Sequence, residues 1–417
     1  MSSIIGIERS LNGVFRERLK SMDNGWKVFP VSAREISETF SISSKFGAKI
    51  STLSNFELEK YQITCPILYI CMEKMNELVS VDTRNLTVDA HSHIPMKKLQ
   101  MSLSDYDLTY NFVSNLNEEI NFLEFVKDIT LSESSIFYGK PRASVLSTEV
   151  VFPDGKIVSF NAPLPCGGTG QDIARFFIFL HGIVCIVTSF KIKVWKQPVS
   201  SRIIAGSFES LKSAVNCARK VIHSGIRPSV SRIYVEGWRK EGSEQEAEDE
   251  KNFIVFGVDG EQAITDAIVF WIERFIVEGG GIIARGRHFL ATKTLRPPSG
   301  YELTPNDLDV ICSICDWEAV SNIVADVQQK LEEHIVATKI SDFFPEGCKI
   351  SWYYKKEGIE EDFQKKLSSL VLKSGGEIIS RGKSLAPFYN LSSYFGSPST
   401  KILKKIKRNI DKNDILI

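Results

Sequence analysis

The chain has 417 residues, 43% of them hydrophobic, with 51 basic side chains balancing 51 acidic ones. That length and composition provide for two or three domains with full cores, and the zero net charge excludes a general electrostatic attraction to nucleic acid. The opening residues MSSIIGIERSLNGVFRERLK contain no long apolar core, so no secretory signal is read and a cytoplasmic protein is expected.

Residues 24 to 60 predict a strand over Lys27 to Pro30, a helix from Ala33 to Phe46 and a strand around Ala48 to Thr52. Ser32, with Glu35 three positions on, matches a capping box at the start of that helix. The runs PILYICMEKMNELVSVD and NLTVDAHSHI read as strands joined by a turn near Thr83 to Asn85, with a helix over Pro95 to Leu103 behind them. Tyr106 to Phe137 is weakly patterned. Asp154-Gly155, set between two alternating apolar runs in VLSTEVVFPDGKIVSF, predicts a hairpin.

Residues 171 to 195, QDIARFFIFLHGIVCIVTSFKIKVW, carry no formal charge from Phe176 to Phe190. A spanning helix needs roughly 20 apolar residues, and this run is shorter and broken by His181, Gly182 and Thr188. Ile173, Phe176, Phe177 and Leu180 suit one helical face, whereas Ile183 to Val194 is β-branched. The stretch therefore reads as helix, glycine turn and buried strand, and no transmembrane segment is expected.

Beyond Pro198 the rhythm changes. AITDAIVFWIERFIVEGGGIIA and FQKKLSSLVLKSGGEIIS each read as a helix stopped by glycine and followed by a strand. Gly279 to Gly281 are structural punctuation, since no GK[ST] follows them. With strands SRIIAGSF, NFIVFGVDG and CKISWYY, the second half predicts an antiparallel sheet covered on one face. The acidic run Glu241 to Glu250 reads as a solvated loop, and the basic cluster Lys401, Lys404, Lys405, Lys407 and Arg408 as the solvated face of a C-terminal helix.

Eight cysteines are scattered among apolar neighbours, and only Cys312 and Cys315 form a CxxC. In a strand, positions three apart point to opposite faces, so these two read as core thiols and not as metal ligands. His91 and His93 lack an evident third ligand and take the same structural reading.

In order and spacing, several runs resemble the FAD-linked oxidases of the vanillyl-alcohol oxidase type, which carry a PCMH-type FAD domain. They are VFPVSAREISETFSISSKFGAKI, MEKMNELVSVDTRNLTVDA, YGKPRASVLSTEVVFPDGKIVSF and TGQDIARFFIFLHGIVCIVTSFKIKV. In the second half, NDLDVICSICDWEAVSNIVADVQQKL and ISDFFPEGCKISWYY are most similar to the alkyldihydroxyacetonephosphate synthases; the D-lactate and glycolate oxidases compare less closely. The resemblance implies an α+β architecture. An N-terminal segment (1–23) leads into a two-part FAD-type domain (24–198), followed by an antiparallel-sheet cap with helices on one face (199–379) and a tail (380–417) packing back. It implies FAD as cofactor, with contacts at Ser54, Asn55, Thr169, Gly170, Asp172, Gly182, Ile186 and Thr188.

Against that family the chain departs at each site of flavin chemistry. A pyrophosphate is normally held by backbone N–H groups of glycine-rich loops, because a Cβ blocks close approach. Here Leu53-Ser54-Asn55-Phe56 stands at the first such loop, and no glycine occurs between Gly47 and Gly139. Where relatives have a turn with three glycines, this chain reads Phe179 to Cys185 and keeps Gly182 alone. His181 is then either a new base or a filler of vacated volume. The synthase histidines are replaced by Ser380, Arg381 and Gly382, and the histidine and tyrosine of its strand motif by Asp342 and Phe344. Asp342 and Arg381 offer two readings, a salt bridge closing the former pocket or, for Arg381, an anion clamp.

Three functions follow. The first is a degenerate relative without flavin, acting as a non-catalytic partner of a flavin-binding homologous subunit or as a homo-oligomer. The second is an active FAD-dependent oxidoreductase or synthase-like enzyme acting on a small hydroxy acid or phosphorylated glycerolipid precursor. The third is a scaffold for an unrelated ligand. Losses in binding and in chemistry agree, which favours the first. Lipid-synthesis ancestry adds peripheral contact of the basic tail with headgroups as an expectation.

Overall fold

The computed structural model describes residues 2–52, 65–110, 120–127, 135–161, 172–235, 252–284, 308–331, 333–355, 361–381 and 391–416. In the first layer β1 (Leu19–Met22) and β2 (Gly25–Val28) form a hairpin, and β3 (Lys49–Ser51) and β4 (Ile67–Ile70) complete the order β1-β2-β4-β3, with β4 parallel to both neighbours. The helix Ala33–Phe46 lays Ile36 and Phe40 on Trp26, Val28, Ile50 and Leu68. Ser32 caps it, its hydroxyl accepting the Glu35 N–H at 3.4 Å. The second half of the capping box is diverted, because Glu35 accepts from the Val31 N–H at 2.8 Å and from both Arg18 Nη atoms at 2.6 and 2.5 Å. Gly47 ends the helix at φ 69°. A helix over Ser2–Phe15, absent from the sequence reading, adds Ile7, Leu11 and Phe15 to the same core.

The second layer contains β5 (Leu78–Asp82) and β6 (Thr87–His91). A short β7 (Leu108–Thr109) follows the helix Met96–Ser104. Then come β8 (Val145–Val151), β9 (Ile157–Asn161), β10 (Ile186–Lys193) and β11 (Trp195–Lys196), which pairs with β7. The main sheet runs β5-β6-β10-β8-β9, so the uncharged stretch supplies its central strand. Ile186, Val187, Thr188, Phe190 and Ile192 are buried there, which explains why polar alternation is missing. Among the described residues no helix is long and apolar enough to cross a membrane. The Asp154-Gly155 turn forms as expected, with Gly155 at φ 82°, and the Ser37 hydroxyl donates to its carbonyl at 2.6 Å. Part of the weakly patterned stretch also takes a helix, Phe122–Lys127, which buries Phe122, Leu123, Phe125 and Val126.

The third layer is one antiparallel sheet of eight strands: β12 (Ser200–Phe208), β13 (Val230–Tyr234), β14 (Asn252–Gly260), β15 (Ile282–Ile283), β16 (Leu308–Asp316), β17 (Ile335–Ser341), β18 (Gly347–Lys355) and β19 (Gly376–Arg381). Their order, β15-β12-β14-β13-β17-β18-β16-β19, is two copies of one β-α-β-β-α-β unit joined edge to edge at β13 and β17. The two helix-glycine-strand segments supply β15 and β19, at opposite ends of the sheet. The helices Leu211–His223, Gln262–Glu278, Val320–Leu331 and Glu361–Lys373 bury their apolar faces against Ile204, Ile254, Ile233, Ile340, Ile350 and Ile311. Cys312 and Cys315 are both buried, and only Cys315 joins that helix-side core, directly opposite Cys348.

The helix Leu391–Ile410 lays Leu403, Ile406 and Ile410 on the second-layer core. After it, Leu416 pairs beside Ile50, and Lys407 donates to the Leu416 carbonyl at 2.7 Å. Tyr138 crosses to the third layer, its hydroxyl donating to Asp259 at 2.7 Å. The acidic run 241–250 lies outside the described residues.

Candidate functional site

The glycine turn before β10 gathers the most chemistry. Gly182, at φ 79°, holds the left-handed conformation there, and a Cβ on it would lie 2.6 Å from Thr52 Oγ1. The peptide N–H groups are committed inside the protein: Gly182 donates to the Cys185 carbonyl at 2.8 Å, Ile183 and Val184 both to Leu180 at 3.0 Å, and Val187 to His181 Nδ1 at 3.0 Å. The turn is closed on itself.

Since Nδ1 of His181 accepts a backbone N–H, its neutral ring carries the proton on Nε2. Ser92 donates to the Val187 carbonyl at 2.8 Å, which leaves its oxygen to accept from His93 Nδ1 at 3.0 Å and gives His93 a free Nε2 lone pair. The two rings, 5.8 Å apart and tilted by 48°, are thus tied to one residue of β10. Burial, with help from the Lys127 ammonium, pushes His93 down to about 4 and His181 well below the ordinary histidine range. Lys127, at the end of the helix Phe122–Lys127, is itself lowered by burial, and burial raises the Cys185 thiol beside it. His91 stands apart, its Nδ1 accepting the Glu77 N–H at 3.2 Å. No cluster of three metal-ligating side chains occurs among the described residues.

Of the other residues singled out in the sequence, Thr188 is buried in β10 and donates to Glu149 Oε1 at 2.5 Å, while Ile186 packs in the first-layer core. Asp172 caps the short helix Ile173–Phe176 and binds Arg175 Nη1 at 2.6 Å. These three serve the protein's own packing and bonding. Ser54, Asn55, Thr169 and Gly170 lie outside the described residues.

Asp342 is buried just beyond β17 at φ 55°, a conformation that aspartate tolerates better than most side chains. The sheet sets the backbones of Asp342 and Arg381 apart. Arg381 ends β19, opposite Ile311, and two strands, β18 and β16, lie between β19 and β17. At about 4.8 Å per strand that backbone separation is roughly 14 Å before any offset along the strands.

A second cluster was not foreseen from the sequence. On the sheet face away from the helices, Arg232 lies opposite Ser341, which lies opposite Lys349, and Tyr234 lies opposite Lys339, which lies opposite Ser351. Lys339 and Lys349 are only 2% and 1% exposed, with Lys339 Nζ 5.5 Å from the Tyr353 ring centroid. Arg232 Nη1 donates to the Tyr234 hydroxyl at 3.1 Å. The signal was present as lysine and arginine in mid-strand, in VSRIYV, VATKIS and CKISWYY.

The test for FAD is whether bare peptide faces open space. Among the described glycines of the first two layers, Gly25 and Gly182 have their Cβ positions against Ile67 and Thr52, and Gly47 is a helix cap. Gly6 and Gly155 lie against Phe46 and Ser37, and of the three that face open space Gly13 sits within the helix Ser2–Phe15, Gly47 caps a helix and Gly139 stands apart from both. These residues do not form a cradle for a pyrophosphate, and the closed turn has no N–H at 182, 183, 184 or 187 left for a flavin ring.

The three layers define the fold of the FAD-linked oxidases of the p-cresol methylhydroxylase type. Among solved structures, alkyldihydroxyacetonephosphate synthase superimposes with a TM-score of 0.75 at 16% identity, covering 99% of this chain and 85% of that one. Substrate-bound p-cresol methylhydroxylase superimposes at 0.72 and 11%, covering 100% and 96%. In sequence the chain is similar to FAD-linked oxidoreductases. The uncharacterized FAD-linked oxidoreductase YgcU of Escherichia coli K12 is 24% identical over 161 residues, 38% of this chain and 33% of that protein. The cytochrome-type mitochondrial D-lactate dehydrogenase 1 of Saccharomyces cerevisiae is 23% identical over 218 residues, 52% and 34% of the two chains. Glycolate oxidase subunit GlcD of Bacillus subtilis is 24% identical over 179 residues, 40% and 36%. Each match spans about a third of the relative's length. No protein-family model matches the chain.

Proposed function

We propose that this chain keeps the FAD-linked oxidase fold without its flavin and works as a non-catalytic subunit beside a flavin-bearing homologue of the same fold. The closed turn at Gly182 carries the reading: its N–H groups bond to Leu180, Cys185 and His181, where a flavin would need them free. The stretch without glycine between Gly47 and Gly139 supports it from the sequence.

The partner half draws on the helix Gln262–Glu278. Ile264, Phe270, Trp271 and Val277 are 57%, 59%, 45% and 58% exposed, large apolar side chains that the chain's own core leaves uncovered. Its rim is neutralised internally by the pairs Arg274–Glu278, Lys220–Glu278 and Arg202–Asp266, which suits a protein surface better than anionic lipid.

The active FAD-dependent reading, with a small hydroxy acid or phosphorylated glycerolipid precursor as substrate, is favoured by the sequence likeness to FAD-linked oxidoreductases. Visible absorption decides between them. Freshly purified protein is expected to be colourless and to take up no added FAD, and to copurify with a glycine-complete homologue from its own cells. An oxidised-flavin band at one flavin per chain would overturn the proposal.

A further inference from the structure

We propose that His93, His181 and Lys127 form a binding site for a small oxyanion, a phosphate or carboxylate group, beside the closed turn. The proposal rests on the reading that no flavin ring occupies this place.

Three separate elements converge here: the segment after β6 brings His93, the end of the helix Phe122–Lys127 brings Lys127, and the turn brings His181 with the neutral Cys185 thiol. The three residues are half-buried as wholes, while their basic groups are enclosed. Among the described residues the Lys127 ammonium has no hydrogen-bond or ion-pair partner. Among the described residues, the acids that act on the cluster, Glu73 on the turn Met72–Lys74 and Glu124 on Lys127's own helix, are exposed and reach it only through space. An enclosed cation without a counter-charge is costly, and an anion relieves that cost where the described carboxylates do not. Tautomers fit the same ligand. His181 presents an Nε2–H donor, and the free Nε2 of His93 becomes a second donor on taking up a proton. Anion binding therefore draws a proton in with it.

The experiment uses the full chain, with inorganic phosphate and, separately, glycolate as probes, against chloride at matched ionic strength. Thermal stability and calorimetric titration are followed from roughly pH 8 to pH 5.5, the range over which histidine responds. Saturable binding of at least one probe, tightening as pH falls, is expected, and the stronger probe tells phosphate from carboxylate. Lys127→Met should weaken it roughly tenfold while Lys127→Arg keeps it. Should Lys127→Met not fold, His181→Asn decides: weaker binding with a flattened pH dependence supports the site. Binding no better than chloride, or unchanged by these variants, overturns it. If the preparation carries flavin, the flavin-free reading fails on its own; phosphate binding after flavin removal still supports the anion site, and its absence overturns it.

Discussion

His181 and His93 hang from the same residue of β10: the Val187 N–H bonds the first ring directly, and the Val187 carbonyl holds the second through Ser92. Both rings are neutral in the folded chain because burial lowers them, whereas in the unfolded chain each titrates near the ordinary value of about 6.5. Between these limits the unfolded state binds more protons. Their contribution to stability is therefore present above about pH 6.5 and lost as the pH falls toward 4. Urea unfolding should show a midpoint that drops across that window, and His93→Asn with His181→Asn should flatten the drop.

Gly182→Ala should destabilise the protein by about 1–3 kcal/mol, through a left-handed backbone that alanine resists and a contact with Thr52 Oγ1. Combining it with Thr52→Ala should recover only part of the loss, because the backbone term remains. Chemical denaturation of the two variants measures the split.

Glu35 ties the helix Ala33–Phe46 to Arg18, just before β1, and to the Val31 N–H, just after β2. Burial opposes its charge, yet these donors outweigh it and hold the carboxyl below its usual range. Glu35→Gln should cost on the order of 1 kcal/mol at neutral pH, a modest value because the pair is partly exposed. The contribution is present above the ordinary glutamate range and fades as acid protonates Glu35. A double-mutant cycle with Arg18→Met isolates the pair.

Thiol chemistry should follow burial. Cys185 and Cys217 are enclosed, with burial pushing Cys217 up to about 12 and Cys185 higher. Neither thiolate forms near neutrality, so both should resist alkylation in the native protein and react once it is unfolded. Mass spectrometry after labelling with and without urea tests this, and native labelling of Cys185 would contradict the enclosed turn.

Local sequence determined much of the frame. The cap at Ser32, the αL glycine Gly47 and the Asp154-Gly155 turn form where they were read because each depends on a few adjacent residues. Period and length made Ile186 to Lys193 a buried strand rather than a membrane span, and the glycine-stopped helices were legible for the same reason.

Tertiary structure decided what those elements bring together. That β15 and β19 end on opposite edges, and that Asp342 and Arg381 stand apart, depends on strand order, which no local signal encodes. His93, Lys127 and His181 are distant in sequence and meet only when β6, β10 and the helix Phe122–Lys127 pack together. Charges in mid-strand such as Lys339 and Lys349 join one face only after register aligns them across strands. Propensity acts over a few residues, whereas sites are made by contacts between segments far apart in the chain, and those are settled by packing.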